Sequence, residues 1–476
     1  MLMSETATIS ELFGSRSTVE KNRNIHPWIL VMPIKVLLFL VISATLFVSP
    51  LFAASHYVRS GASGSGNGSD WTNAYTTLPS SLIRGDVYYV AGGTYSGRTF
   101  STAESGTTLI TIKGATIADH GTDTGWNNSY SVETTPATWT STITFSTSYW
   151  VFDGVAGGNL NRTTSVYGFV MGPNLSSAFL VGSSSAKTNI TISHIYALAT
   201  SSDTEKMFVQ GIPGGGGRNV NNVTISHSYL DRWQGGFMTR HQWPPTAYDG
   251  LIWEYNLCLR GFSSSANHGE WINPNEAPLT NAIIRYNIFE GSSGSGGQTG
   301  TIVANNQNNT GAKIYGNVFN SLVVGNGIIT GTSAGNLNNA VIYNNTFLNS
   351  TIATNTPING PGSGVIYYNN LFYNMQAQSY GFTSDYNAYF STTGSPSEAH
   401  KQTATGNPFV NSSGGNFHLL AANNAGTSLP SPYNYDMEGS LRGSDWVWDR
   451  GAIEYMSGAP PPPVLTPNPP INLNVN

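Results

Sequence analysis

Apolar and polar positions alternate along the chain in a unit that recurs. AIIRYNIFEG begins at Ala282, AKIYGNVFN at Ala312, AVIYNNTFLN at Ala340 and VIYYNNLFYN at Val365. With the central asparagine as position zero, the anchors are Ile195, Ser228, Asn256, Asn287, Asn317, Asn345 and Asn370, at spacings of 33, 28, 31, 30, 28 and 25 residues. Position −3 holds Ile192, Ile225, Trp253, Ile284, Ile314, Ile342 and Tyr367, and position −5 holds Ile190, Val223, Leu251, Ala282, Ala312, Ala340 and Val365. Position +2 holds Ala197, Leu230, Cys258, Phe289, Phe319, Phe347 and Phe372. Positions −5 and −3 share one face of a strand. Position +2 leaves that alternation unless the chain bends at the anchor, and Asn is the non-glycine residue that best tolerates the left-handed backbone of such a bend. Each copy therefore predicts strand, bend at the Asn, strand. A repeat of this length means a solenoid, a propeller or an array. A propeller blade needs about 40 residues, more than these intervals hold, whereas a coil of three short strands and three turns fits. Like residues of successive coils then stack about 4.8 Å apart, with the Phe column inside and the Asn side chains in a hydrogen-bonding ladder.

Composition narrows the partners. Charged residues make up 9% of the chain and the net charge is −5, against roughly 25% charged in an average soluble protein. No basic stripe is present, which argues against nucleic acid. Lys21, Arg23 and Lys35 flank an apolar run from Val36 to Val48, and Ala53-Ala54-Ser55 follow. That order reads as a secretory signal, with Met32 a possible start. The expectation is an extracellular or cell-surface protein, free of the membrane once the signal is cleaved. The single cysteine, Cys258, leaves no internal disulfide, so stability must come from a continuous core. Cys258 occupies a Phe position and is expected to be a buried core residue.

The opening HYVRSGASGSGNGSDWTNAYTTLPSSLIRGDVYYVAGGTYSG, the repeats and the closing Asp449-Arg450-Gly451-Ala452-Ile453-Glu454-Tyr455 together resemble secreted β-helix proteins of the pectate-lyase-like superfamily. The resemblance covers roughly residues 56–455. It implies an all-β, single-stranded right-handed parallel β-helix over residues 55–456, after an N-terminal extension and signal (1–54) and before a Pro-rich tail (457–476). The superfamily includes lyases, hydrolases, epimerases and non-catalytic surface proteins, so the fold leaves function open.

Charge marks where chemistry could sit. Residues 203–290 carry 14 of the 45 charged side chains, and residues 291–382 carry one, Lys313. ISHSYLDRW (225–233) resembles the strand of pectate lyases with a Trp-Ile-Asp-His segment: Ile225 and His227 match, and Ser226 replaces the Asp. His194 repeats the His one coil earlier, so His227 is either a base or a ladder residue. The acidic calcium set of those enzymes is not evident, which leaves calcium open. In NHGEWINPN (267–275), His268 and Glu270 project to one side of an extended segment and Trp271 follows. A His, a carboxylate and an exposed aromatic suit a sugar site, and a loop with Trp271 buried is the alternative. Arg232, Trp233, Arg240, His241 and Trp243 interleave cations with aromatics, as an anionic sugar requires, unless they form a packed surface loop. Glu254 and Arg285 occupy one position of successive repeats and are expected either to pair or to serve a substrate. Tyr315, Tyr343 and Tyr368 continue that column as a stacking platform or a packed flank.

Two functions compete. The first is cleavage of an acidic polysaccharide by β-elimination, with Arg232 or Arg240 holding the uronate carboxylate and His268 or His227 taking the C5 proton. Hydrolysis would instead need paired carboxylates, from Glu254 and Glu270 with Asp231 or Asp249. The second is a non-catalytic β-helix protein that binds glycans or other cells. A monomer is expected in either case.

Overall fold

The computed structural model describes residues 53–456 apart from 159, 161, 183–184, 200–205, 212–218, 240–246, 264–268, 275–276, 294–297, 305–307, 332–335 and 379. Short parallel strands form three sheets. The first runs from Ser55–Val58 to Thr383–Asp385, the second from Gly93–Tyr95 to Gln402–Ala404, and the third from Thr99–Phe100 to Ile358–Asn359. In one coil Ile283–Arg285 lies on the first sheet, Ile288–Ser293 on the second and Ile302–Ala304 on the third. Lys313–Tyr315 then returns to pair with Ile283–Arg285. This is the expected right-handed parallel β-helix.

The predicted columns are in register. Ile192, Ile225, Trp253, Ile284, Ile314, Ile342 and Tyr367 are successive partners on the first sheet. Ala197, Leu230, Cys258, Phe289, Phe319, Phe347 and Phe372 are successive partners on the second. Cys258 is fully buried, and burial pushes its thiol well above the usual range, so it is inert packing. The anchors form the expected ladder. The backbone N–H groups of Asn256, Asn287, Asn317 and Asn345 donate to the Oδ1 of the next anchor at 2.9, 3.0, 3.0 and 3.0 Å. Asn370 continues it to Asn387 at 2.8 Å, an eighth anchor only 17 residues on.

The bend falls elsewhere than expected. The residue before the anchor carries the positive φ: His194, His227, Tyr255, Tyr286, Gly316, Asn344 and Asn369 lie between 53° and 65°. The anchor's own amide must point inward to meet its neighbours, so the preceding residue turns the corner. Two further left-handed columns flank it, at −6 (Asn189, Asn222, Gly250, Asn281, Gly311, Asn339, Gly364) and at +4 (Arg232, Arg260, Gly291, Ser321, Asn349, Asn374). Three such corners per coil explain why the chain is rich in Asn and Gly.

The coils end at Gln402–Ala404, earlier than expected. Residues after 404 include the antiparallel hairpin Phe409–Asn411 with Asn416–Leu419 and lie over the outer face of the second sheet. Outward residues there, such as Leu257, Val318, Leu348 and Leu371, are fully buried against Phe409, Phe417, Met437 and Ile453. Residues 449–455 are thus not a closing strand. They are pinned by polar contacts: Ala452 N–H donates to Thr346 Oγ1 at 2.9 Å, and buried Arg442 donates to the carbonyls of Asp449, Gly451 and Ala452.

Candidate functional site

At the corner between the first and second sheets a stack runs along the axis. His194 Nδ1 meets Asp153 Oδ1 at 2.7 Å. Ring centres lie 5.0 Å apart for His194–His227, 4.9 Å for His227–Tyr255 and 5.1 Å for Tyr255–Tyr286. Gly158 closes over the histidines: a Cβ there would sit 2.9 Å from His227 Cβ and 3.1 Å from His194 Cδ2. Burial, and then the neighbouring His194, push His227 down to about 3, with Asp153 opposing. Burial raises Asp153, but the His194 hydrogen bond and charge outweigh it and its carboxyl ends below the usual range. His227 is therefore a neutral ladder residue, and so low a pKa makes it a feeble base at neutral pH.

This stack predicts an acid limb in stability. His227 contributes its full stabilisation above its ordinary value of 6.5 and loses it as pH falls from there through about 3. At about 1.4 kcal/mol per unit, the loss is on the order of 3–5 kcal/mol. Glu454, which burial holds up at about 7, acts oppositely: its contribution is present below 4.5 and lost as pH rises through about 7. The check is therefore a difference, wild type minus His227→Phe, in denaturant unfolding from neutral pH down to about pH 4. A difference that stays constant with pH would contradict the neutral buried imidazole.

On the first sheet Glu254 and Arg285 pair across coils at 2.6 Å, and Arg285 Nη1 donates to Tyr315 Oη at 2.9 Å. Glu254 thus neutralises Arg285 and serves the fold. Tyr315 and Tyr343 are buried edge-on against Tyr433, at 4.9 and 5.1 Å, so this column is a packed flank.

The second corner, between the second and third sheets, differs. Asp231 is buried and holds Arg260 through Nε at 2.9 Å and through Nη2; that hydrogen bond is the main cause raising the Arg260 guanidinium. Arg260 remains about half exposed (48%). Arg232 occupies the same corner one coil earlier, its N–H donating to Leu259 O at 3.0 Å. It is exposed, and among the described residues its guanidinium has no hydrogen bond or ion pair. Both arginines adopt left-handed backbone, φ 59° and 48°, where later coils use Gly291, Ser321, Asn349 and Asn374. A long side chain in that region is strained by roughly 1–2 kcal/mol, and such strain clusters where the side chain is needed. Beyond the arginines the row turns neutral: Asn374 Nδ2 donates to Asn349 Oδ1 at 2.8 Å, and Ser321 and Asn374 are exposed.

The aromatics expected to stack on sugar are in the core. Trp233 and Trp271 are fully buried; Trp233 Nε1 donates to Ala197 O at 3.1 Å and its ring meets Phe208 edge-on, while Trp271 packs against Phe289. Both fall in the interior wedge where the second and third sheets meet, so neither presents a face to solvent. Glu270 is fully buried at the start of Glu270–Asn273 on the third sheet. The width of Leu257–Phe262 separates its edge from the His227 corner, about 20 Å of strand, so His227 and Glu270 do not converge. Arg240, His241, Trp243 and His268 lie outside the described residues. Asp153 and Tyr255 were missed in the sequence, although His194 beside His227 signalled the stack. Among the described residues no three His, Cys, Asp or Glu side chains gather as metal ligands.

No protein-family model and no curated protein matches the sequence. Among solved structures the chain is similar to pectate lyase Pel9A, with TM-score 0.42 and 15% identity over 85% of this chain and 97% of that one. It is also similar to alginate lyase from Paenibacillus sp. str. FPU-7, with TM-score 0.30 and 11% identity over 68% and 92%. A third is GH136 lacto-N-biosidase from Eubacterium ramulus, with TM-score 0.34 and 12% identity over 74% and 64%. At such identities the likeness concerns the fold alone, and no residue role is taken from these proteins.

Proposed function

We propose that this protein is an exported β-helix that binds an acidic polysaccharide along the corner between its second and third sheets. The observation that carries this reading is exposed Arg232, whose guanidinium is unpaired among the described residues and whose backbone is left-handed, like that of Arg260 in the next coil. A free guanidinium can grip a uronate carboxylate in bidentate fashion, and the Ser and Asn row beyond it offers hydroxyl and amide partners to an extended chain. Arg285 is disfavoured as the clamp because Glu254 already neutralises it. Cleavage by β-elimination is the finer proposal. It assigns the base to His268 and a second clamp to Arg240, because His227 sits neutral in its stack and Glu270 is buried. The alternative, a non-catalytic glycan-binding protein, is favoured by those same two placements.

Arg232→Ala is expected to weaken binding of a polyuronate by about tenfold at low salt, the loss of a charge-assisted contact of about 1.5 kcal/mol. Lys313→Ala, in the low-charge coils, should leave binding unchanged. Isotherms on immobilised polyuronate measure both, and equal affinities for Arg232→Ala and wild type would remove the site. For cleavage, His268→Ala should lower turnover by about 10²–10⁴-fold with little change in binding, followed by the absorbance of the unsaturated product.

A further inference from the structure

Trp446 is the most exposed large apolar side chain among the described residues, at 96%, and its backbone lies at φ 73°. A bulky residue in the left-handed region is a marked outlier. The turn is nevertheless firmly held. Trp446 N–H donates to Gly443 O at 3.1 Å, Gly443 N–H to Glu454 Oε1 at 2.5 Å, and Val447 N–H to Asp445 Oδ1 at 3.0 Å. Buried Arg442 anchors it on one side, and buried Trp448 on the other, through Nε1 to Asn344 Oδ1 at 3.2 Å. The indole is thus presented on a fixed support. Tyr435 and Leu441, joined by an antiparallel bridge, add two apolar side chains that are 48% and 47% exposed.

What covers this patch is suggested by where the chain goes next. Glu454, which holds the base of the Trp446 turn, stands two residues before Met456. The sequence then continues into an uncharged segment with Pro460–Pro463, Pro467, Pro469 and Pro470. From Glu454 across its contact to Gly443, and three residues on, the span to Trp446 is at most roughly 18 Å. From Glu454, Pro460–Pro463 are six to nine residues on, about 19–28 Å at polyproline rise, long enough to reach Trp446. Proline-rich segments dock on grooves lined by Trp and Tyr because their backbone is already ordered before binding. The absence of charge in residues 457–476 removes the desolvation cost that would oppose it.

We propose that Tyr435, Leu441 and Trp446 form a docking site for the chain's own proline-rich segment, residues 459–470. The test uses the full chain. Emission and acrylamide quenching are measured for the wild type and for Trp446→Phe, whose difference isolates Trp446. Both are repeated with Pro460, Pro461, Pro462 and Pro463 all replaced by Ser. The Trp446 contribution should be shielded with the natural prolines, and red-shifted and more readily quenched without them. A synthetic peptide of residues 457–470, added to the proline-replaced chain, should restore the shielding. Identical quenching of Trp446 in both chains would overturn the proposal. So would shielding that vanishes on dilution, which would place a second copy's segment on the patch. Protection by a soluble oligosaccharide equally well with and without the prolines would overturn it too, marking Trp446 as a sugar contact.

Discussion

Asn345→Ala is expected to destabilise the β-helix by about 2–6 kcal/mol, from two buried polar groups left unmet at about 1–3 kcal/mol each. Asn345 is fully buried. Its Oδ1 accepts from the backbone N–H and the Nδ2 of Asn317, both at 3.0 Å, and its Nδ2 donates to Ile314 O at 2.9 Å and to Asn370 Oδ1 at 3.1 Å. Truncation strands the Asn317 N–H and removes the amide donor from the Ile314 carbonyl in a dry interior where no solvent replaces it, while Asn317 Nδ2 keeps Ile284 O at 2.8 Å and Tyr315 O at 3.2 Å. The damage also spreads, because each anchor orients the next. Asn374→Gly, at an exposed left-handed corner, should change stability by less than about 1 kcal/mol. Denaturant melts of the two variants separate ladder from corner: similar small effects would mean that the Asn345 amide is solvated.

Phe347→Ala carries the second large effect, about 3–5 kcal/mol. Phe347 is fully buried, with ring centres 4.8 Å from Phe319 and 4.9 Å from Phe372 at interplanar angles of 9° and 7°. Removing one ring from a continuous column leaves a void walled by two fixed rings. The strands above and below it are tied by backbone hydrogen bonds and relax little, so the cost belongs at the upper end of the range. A loss below about 1 kcal/mol in the same melts would show that the column can close over the gap.

The fold was legible because its inner contacts repeat. An inward position is chosen by packing against the same position one coil away, so Ile at −3 and Phe at +2 recur wherever the coil length is steady. The eighth anchor, Asn387, was missed because its interval is short, and the coils before Ile195 because aromatic packing such as Phe152 on Phe169 replaces the Asn there. The left-handed corner was placed one residue late, since φ is a property of the neighbour that frees the Asn side chain to turn inward. The end of the helix was also misplaced: residues 449–455 have the apolar pattern of a strand, and only tertiary contacts show them lying across the second sheet.

The site was less legible, because exposure is set by tertiary packing rather than by residue type. Trp233 and Trp271 carry the residues of a sugar platform, yet both face inward where two sheets meet. His227 has the chemistry of a base, yet its stack and the cover at Gly158 keep it neutral. Glu254 and Arg285 paired as their shared repeat position suggested. Arg232 was picked out for its charge. Its left-handed backbone and its freedom from Asp231, which takes Arg260 instead, became visible only in the structure.

The most direct measurement is the affinity of the wild-type protein for a polyuronate and for an uncharged glycan of similar length, each at low and at high salt. The account predicts tight binding of the polyuronate at low salt that weakens as ions screen the Arg232 corner, and weaker, salt-insensitive binding of the neutral chain. Equal affinity for the two glycans, unchanged by salt, would contradict it.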